Sequence, residues 1–180
     1  MQREVMFAGF GGQGILLSGK ILAETAMAEG LEVAWIPSYG PEMRGGTAYC
    51  LVAISDQPIG SPIVRTPSHL VAMNRPSLVK FAPTIKPGGV IVINSSIIDI
   101  GSNRSDVDEL RVPVTDIAKE LGNVRAANIV ALSAFVARSR IVGLETFKNT
   151  VDVEFAKKPD LLSINLAAVE AGISAALKDR

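Results

Sequence analysis

Short apolar runs rich in β-branched residues alternate along the chain with longer segments whose apolar residues recur at helical spacing. This alternation is typical of a layered α/β fold in which helices cover a largely parallel sheet. The apolar runs predict strands at residues 4–9, 31–36, 48–55, 69–73, 89–94 and 110–114. The helical spacing predicts helices at residues 13–29, 76–82, 115–121, 126–139 and 160–178. We therefore expect an α/β fold, a three-layer Rossmann-like arrangement that forms a single domain over residues 1–180.

The composition fits such a domain and argues against several classes of protein. The 180 residues are 48% hydrophobic and 20% charged, the formal net charge is zero, and Lys and Arg form no block. Neither nucleic acid nor an anionic membrane surface is therefore an expected partner. The apolar runs are shorter than a bilayer requires and the N-terminus lacks a signal-peptide pattern, so we expect a cytoplasmic protein.

A first glycine-rich loop connects the first predicted strand to the first predicted helix and reads GFGGQG over residues 9–14. Backbone N–H groups at such a helix start can hold an anion or a carbonyl oxygen. We expect a positive φ at Gly11 or Gly12. Gln13 could point its amide towards the second loop described below, or lie on the helix surface.

The same loop satisfies the dinucleotide pattern G-x-G-x-x-G through Gly9, Gly11 and Gly14. A dinucleotide site also needs an acidic side chain about 20 residues further on, at the end of the second strand. The second predicted strand instead runs into Pro37 and Ser38. A free-standing nucleotide-binding module therefore stays open only as an alternative.

A second glycine-rich loop follows the second predicted strand and reads SYGPEMRGGTA over residues 38–48. In a βαβ arrangement both loops lie at the carboxyl edge of the sheet, where open α/β folds bind ligands. Arg44, flanked by Gly45 and Gly46, suits a phosphate or a carboxylate. An ion pair with Glu42 or with a neighbouring subunit is the alternative role for Arg44.

Few residues could act as catalysts. His69 is the only histidine, and we expect it at a strand edge, hydrogen-bonded to the backbone. Cys50 is the only cysteine, so no internal disulfide can form, and its position in a strand predicts a buried, inert thiol. No nucleophile-elbow or metal-ligand motif accompanies them. We therefore predict no catalytic residue and no metal site.

The two loops together resemble those of one known family. The string GFGGQGI at residues 9–15, followed by SYGPEMRGG at residues 38–46, is similar to the gamma subunit of the 2-oxoacid:ferredoxin oxidoreductases, and the resemblance continues through residues 86–89 and 128–132. It implies a complex that oxidatively decarboxylates a 2-oxoacid with coenzyme A, yielding acyl-CoA, carbon dioxide and electrons for ferredoxin. It also implies alpha and beta subunits as partners, with a ferredoxin-like delta subunit as a further candidate.

The resemblance implies that thiamine diphosphate, Mg²⁺ and an iron–sulfur cluster belong to partner subunits, so that this chain alone binds no cofactor and is inactive. It implies a docking role beside the thiamine site, in the access of coenzyme A. The form YGPExRGG resembles 2-oxoglutarate and branched-chain members most, so we expect a 2-oxoglutarate synthase type, with branched-chain or pyruvate types as alternatives. The residues expected to bind ligand or partner are Gly9, Gly11, Gly12, Gln13, Gly14, Ser38, Tyr39, Gly40, Glu42, Arg44, Gly45 and Gly46.

Overall fold

Strands and helices alternate along the chain in the computed structural model, which describes residues 1–38, 47–61 and 64–178. The strands are β1 (Arg3–Phe10), β2 (Glu32–Ser38), β3 (Thr47–Ser55), β4 (His69–Ala72), β5 (Val90–Asn94) and β6 (Asp108–Val112). The helices are α1 (Ile15–Ala28), α2 (Arg75–Phe81), α3 (Val114–Glu120), α4 (Ala127–Ser139), α5 (Leu144–Phe155) and α6 (Pro159–Lys178), with short 3₁₀ turns at Ala82–Thr84 and Val124–Ala126.

The strands form one mixed sheet in the order β2-β3-β1-β4-β5-β6. The neighbouring pairs β1–β4, β4–β5 and β5–β6 are parallel. Strand β3 runs antiparallel to both of its neighbours, β1 and β2. The largely parallel α/β sheet expected from the sequence is therefore confirmed. Strands β1 and β2 are parallel and joined by α1, as expected of a βαβ unit, but β3 is inserted between them.

Two apolar cores, one on each face of the sheet, produce the three layers. Alternate residues of β1 point to opposite faces, so Val5 and Phe7 lie in one core while Met6 and Ala8 lie in the other. The first core is covered by α1 and α3–α6, and the second by α2. Phe7 packs edge-to-face on Phe135 of α4, with ring centroids 6.3 Å apart. The three-layer architecture is thus confirmed.

Helix α6 packs along α4 through small residues. A side chain at Gly172 would collide with the backbone carbonyl of Val130, so glycine permits the close approach of the two helices. Within the described part of the chain α6 is the one helix long and apolar enough to cross a membrane, judged by length and composition alone, whereas the sequence analysis expected the apolar runs to be too short for this. Its buried positions are Asn165, Ala168, Val169, Gly172 and Ala176.

Helix α5 is the element that the sequence prediction missed. Its 12 residues bury Phe147, Val151 and Phe155, which recur at a spacing of four residues. The other positions are mainly polar, so the apolar signal was too sparse to separate a helix from a loop. Helix α5 packs on α1 and α6 and completes the helical layer on that face.

Candidate functional site

The first glycine-rich loop turns sharply between the end of β1 at Phe10 and the start of α1 at Ile15. Gly12 has φ +90° and Gly14 has φ +73°, which confirms the positive φ expected at Gly11 or Gly12. At Gly14 a Cβ would lie 2.5 Å from Nδ2 of Asn128 in α4, whereas at Gly12 it would meet no atom within 4 Å. Gly14 is therefore required by packing, while Gly12 faces open space.

The carboxamide of Gln13 is held at both of its ends. Its Oε1 accepts a hydrogen bond from the Phe10 backbone N–H at 2.7 Å, and its Nε2 donates to the Met73 carbonyl at 3.2 Å. Met73 directly follows β4. Gln13 therefore links its own loop to the end of β4, which is neither of the two orientations that the sequence suggested.

Asn128 ties the same loop to helix α4. Its Nδ2 donates to the Gly14 carbonyl at 3.2 Å, and the Ser18 backbone N–H donates to the same carbonyl at 3.0 Å. Asn128 is buried in a mainly apolar helix that also contains the buried Ser133. An amide side chain at the start of a predicted core helix was the available signal, but the sequence analysis did not select it as a site residue.

The backbone donors of the loop are free to bind a ligand. In the residues that the structure describes, no hydrogen bond uses the N–H of Gly11, Gly12, Gly14, Ile15 or Leu16. Unpaired N–H groups at a helix start carry partial positive charge and attract anions. The loop can therefore accept a phosphate or carboxylate.

A cleft of about 200 Å³ opens beside this loop at the carboxyl edge of the sheet. Its position follows the general rule for open α/β folds, because the chain crosses over in opposite directions from β1 and from β4. The exposed Arg125 guanidinium lines it and makes no hydrogen bond or ion pair with any other described residue. The lining residues are Gly12, Gln13, Met73, Ile97, Thr115, Val124, Arg125 and Ala127.

Two larger grooves lie elsewhere on the molecule. One of about 610 Å³ lies between α1 and α5, and one of about 550 Å³ lies between α3 and α6. Both are lined mainly by side chains on helix surfaces, with Arg111 of β6 added in the second, and neither contains a residue of the glycine-rich loop. The smaller cleft is the better candidate site, because it alone among these three combines free backbone donors with an unpaired cation.

The connection that carries the second loop leaves and rejoins the sheet at this same edge. Ser38, at the end of β2, pairs with Tyr49, and Thr47, at the start of β3, pairs with Phe10. Six predicted site residues lie outside the described residues, and their roles stay predictions. They are Tyr39, Gly40, Glu42, Arg44, Gly45 and Gly46.

His69 lies at the opposite, amino edge of the parallel strands and plays the structural part expected of it. Its Nδ1 accepts a hydrogen bond from the Val90 backbone N–H at 3.0 Å, and its ring packs edge-on to Phe135. Burial, reinforced by the positive charges of Arg3 and Lys86 against the opposing effect of Glu4, lowers its pKa to about 4. The imidazole is therefore neutral at physiological pH and far from the cleft.

Cys50 is buried in β3, as expected, with Sγ 3.4 Å from the Ile15 carbonyl. Burial raises the pKa of the thiol to about 12, so almost no thiolate forms at neutral pH.

We predict that the native chain will not react with Ellman's reagent, and that one thiol will react after unfolding in urea. Rapid stoichiometric reaction of the native protein would contradict the buried position.

Within residues 1–38, 47–61 and 64–178, no group of three or more His, Cys, Asp or Glu side chains is placed to hold a metal ion. These residues therefore do not supply the donors that an iron–sulfur cluster or a structural zinc requires. The chemistry available in this part of the chain is anion binding by backbone N–H groups, the Arg125 guanidinium and the Thr115 hydroxyl.

Comparison with known proteins agrees with this fold. The family described as pyruvate ferredoxin/flavodoxin oxidoreductase matches residues 4–175. The chain is 43% identical over 177 residues to ketoisovalerate oxidoreductase subunit VorA of Methanothermobacter marburgensis, which covers 97% of this chain and 37% of that protein. The chain thus spans about a third of the length of the curated relatives that match it first.

Two solved structures are similar over nearly the whole chain. The gamma subunit of a keto/oxoacid ferredoxin oxidoreductase from Geobacter sulfurreducens is 31% identical, with a TM-score of 0.84 and coverage of 98% of this chain and 99% of that one. The 2-oxoglutarate:ferredoxin oxidoreductase of Magnetococcus marinus, described with 2-oxoglutarate, coenzyme A and succinyl-CoA bound, is 28% identical, with a TM-score of 0.87 and coverage of 98% and 31%.

The fold and the loop define an α/β domain with unpaired backbone N–H groups at the carboxyl edge of its sheet. The chain belongs to the pyruvate ferredoxin/flavodoxin oxidoreductase family, and within it to the gamma subunits of the 2-oxoacid:ferredoxin oxidoreductases. The resemblance found in the two loops is thereby confirmed.

Proposed function

We propose that the chain forms the gamma part of a complex that oxidatively decarboxylates a 2-oxoacid with coenzyme A and passes the electrons to ferredoxin. In this complex the chain acts as a docking and coenzyme A access module without catalytic groups of its own. The observation that carries the proposal is the row of unpaired loop N–H groups beside Arg125. Coenzyme A carries phosphates that such donors bind well.

The remaining components of the proposal lie on other subunits. Alpha and beta subunits, with a ferredoxin-like delta subunit as a further candidate, would hold thiamine diphosphate, Mg²⁺ and the iron–sulfur cluster. The lack of a metal-ligand group in the described residues fits this division. Residues 1–180 would act as a single domain in the cytoplasm, with no nucleic acid or membrane partner.

Two 2-oxoacids have support as the substrate of the proposed complex. The 43% identity to a ketoisovalerate oxidoreductase subunit favours a branched-chain 2-oxoacid. The 2-oxoglutarate type expected from the YGPExRGG loop is supported by the Magnetococcus marinus enzyme at 28% identity. We take the branched-chain type as the first candidate and 2-oxoglutarate as the second.

Purification of the native complex and assay with ketoisovalerate, 2-oxoglutarate and pyruvate test both the function and the substrate type. We expect coenzyme A-dependent reduction of ferredoxin, with the highest kcat/KM for ketoisovalerate. A higher value for 2-oxoglutarate would select the second candidate. No coenzyme A-dependent oxidation of any 2-oxoacid, together with tight binding of NAD, FAD or ATP by the chain alone, would instead support the free-standing nucleotide-binding module.

We predict that Arg125→Ala in the complex raises the KM for coenzyme A on the order of tenfold, because a charge-assisted hydrogen bond to phosphate contributes about 1.5–3 kcal/mol. The kcat and the melting temperature should stay near their wild-type values, because the Arg125 side chain forms no ion pair with any described residue. Arg3→Ala, which removes the same charge at the exposed start of β1, is the control. An equal KM in both variants would exclude a ligand role for Arg125.

Measurement of the KM for coenzyme A in the complex also decides the predicted role of Arg44, which lies outside the described residues. If Arg44 binds coenzyme A, Arg44→Lys and Arg44→Ala should both raise its KM, with Ala the worse. If Arg44 pairs with Glu42 instead, the melting temperature or the assembly of the complex should fall and the KM should not change.

A further inference from the structure

The hydrogen-bond ladder between β1 and β4 ends in an unusual way. The two strands pair in parallel from Val5 and His69 to Ala8 and Ala72, and the Met73 N–H still donates to the Ala8 carbonyl at 2.8 Å. In a regular parallel ladder the Met73 carbonyl would next accept from the Phe10 N–H. Both groups instead bond to the side chain of Gln13.

The Gln13 carboxamide is therefore inserted into the ladder. Its oxygen accepts a hydrogen bond from the Phe10 N–H at 2.7 Å, and its nitrogen donates one to the Met73 carbonyl at 3.2 Å. One amide group thus replaces a direct backbone hydrogen bond between the two strands. The carboxyl ends of β1 and β4 are consequently held apart by the width of an amide. This separation occurs where the cleft opens, because Gln13 and Met73 both line it.

Gly9 makes room for this inserted amide. A Cβ at Gly9 would lie 2.6 Å from the Gln13 Oε1 and 2.9 Å from the Met73 Cβ. The first glycine of the loop is thus explained by the position of the Gln13 side chain, without any contact to a ligand. The absence of a side chain at Gly9 is therefore what allows the Gln13 amide to take this position.

We propose that Gln13 is a positioning residue: its inserted amide fixes the separation of β1 and β4 and thereby aims the free N–H groups of Gly11 and Gly12 at the ligand. The inference rests on the proposed function, since coenzyme A is the ligand through which the effect is measured. Both ends of the amide are needed. Glutamate would keep the acceptor for Phe10 but would turn an acceptor towards the Met73 carbonyl, and methionine would supply neither bond.

The test is steady-state kinetics of the assembled complex carrying Gln13→Glu or Gln13→Met. Gln57→Glu and Gln57→Met are matched controls, because Gln57 is exposed in the turn after β3. We expect both Gln13 variants to raise the KM for coenzyme A on the order of tenfold, as a small displacement of binding groups does, with the KM for the 2-oxoacid unchanged. The Gln57 variants should behave as wild type.

A lower melting temperature with an unchanged coenzyme A KM in both Gln13 variants would overturn the inference and leave Gln13 as a stabilising residue only. Hydrogen exchange of the Phe10 amide in the complex gives a second readout that requires no activity. We expect slow exchange in the wild type and in Gln13→Glu, and fast exchange in Gln13→Met. Fast exchange in the wild type would also overturn the inference, whereas a complex without coenzyme A-dependent activity would refute the proposed function alone.

Discussion

Replacing Gly14 with alanine is expected to lower the free energy of unfolding by about 3 kcal/mol. Gly14 has φ +73°, a left-handed conformation that costs an L-residue about 1–2 kcal/mol. The new Cβ would also lie 2.5 Å from Nδ2 of the buried Asn128, and overpacking of this kind costs about 1–3 kcal/mol. Urea unfolding of the wild type and the variant measures the difference.

Gly30→Ala is the matched control for that experiment. Gly30 has φ +76°, nearly the same backbone conformation, but a Cβ there would meet nothing within 4 Å. The Gly30→Ala variant should therefore lose only the backbone contribution, about 1–2 kcal/mol. Equal losses at the two positions would show that Asn128 accommodates the added Cβ without cost and that packing does not require glycine at position 14.

Gly12→Val is expected to reduce kcat/KM for coenzyme A in the complex by a factor on the order of 100, as misplacement of a bound reactant does. Gly12 lines the cleft beside the unpaired loop N–H groups, so a valine side chain there would stand where the ligand approaches. The fold should suffer little more than the strain of a positive φ, because no atom lies within 4 Å of the added Cβ.

Gly30→Val separates this effect from strain, since Gly30 shares the positive φ and the open surroundings but lies at the far end of α1. The two variants should have similar melting temperatures, and only Gly12→Val should lose activity. Full assembly and turnover of the Gly12→Val complex would remove position 12 from the site.

The alternation of apolar and polar residues was enough to place every strand of the sheet within a few residues. It could not reveal that β3 runs antiparallel between β1 and β2, because side-chain periodicity carries no information on strand direction or order. Helix α5 was missed for a different reason. Phe147, Val151 and Phe155 bury one narrow stripe on an otherwise polar segment.

The first loop could be recognised from its glycines, but its hydrogen bonds could not. The Gln13 amide bonds to Met73, which lies 60 residues away, and the loop is fixed by Asn128, more than 100 residues away. Arg125 joins the cleft only because α4 begins at the same sheet edge. Such contacts depend on strand order and helix packing, which the local sequence does not specify.

The assembly of the complex with and without this chain tests the central claim most directly. We expect coenzyme A-dependent oxidation of a 2-oxoacid, with electrons passed to ferredoxin, only when the chain is present together with its partner subunits, and no oxidation by the chain alone. An unchanged coenzyme A-dependent rate when the chain is omitted, or turnover by the purified chain without partners, would contradict the account.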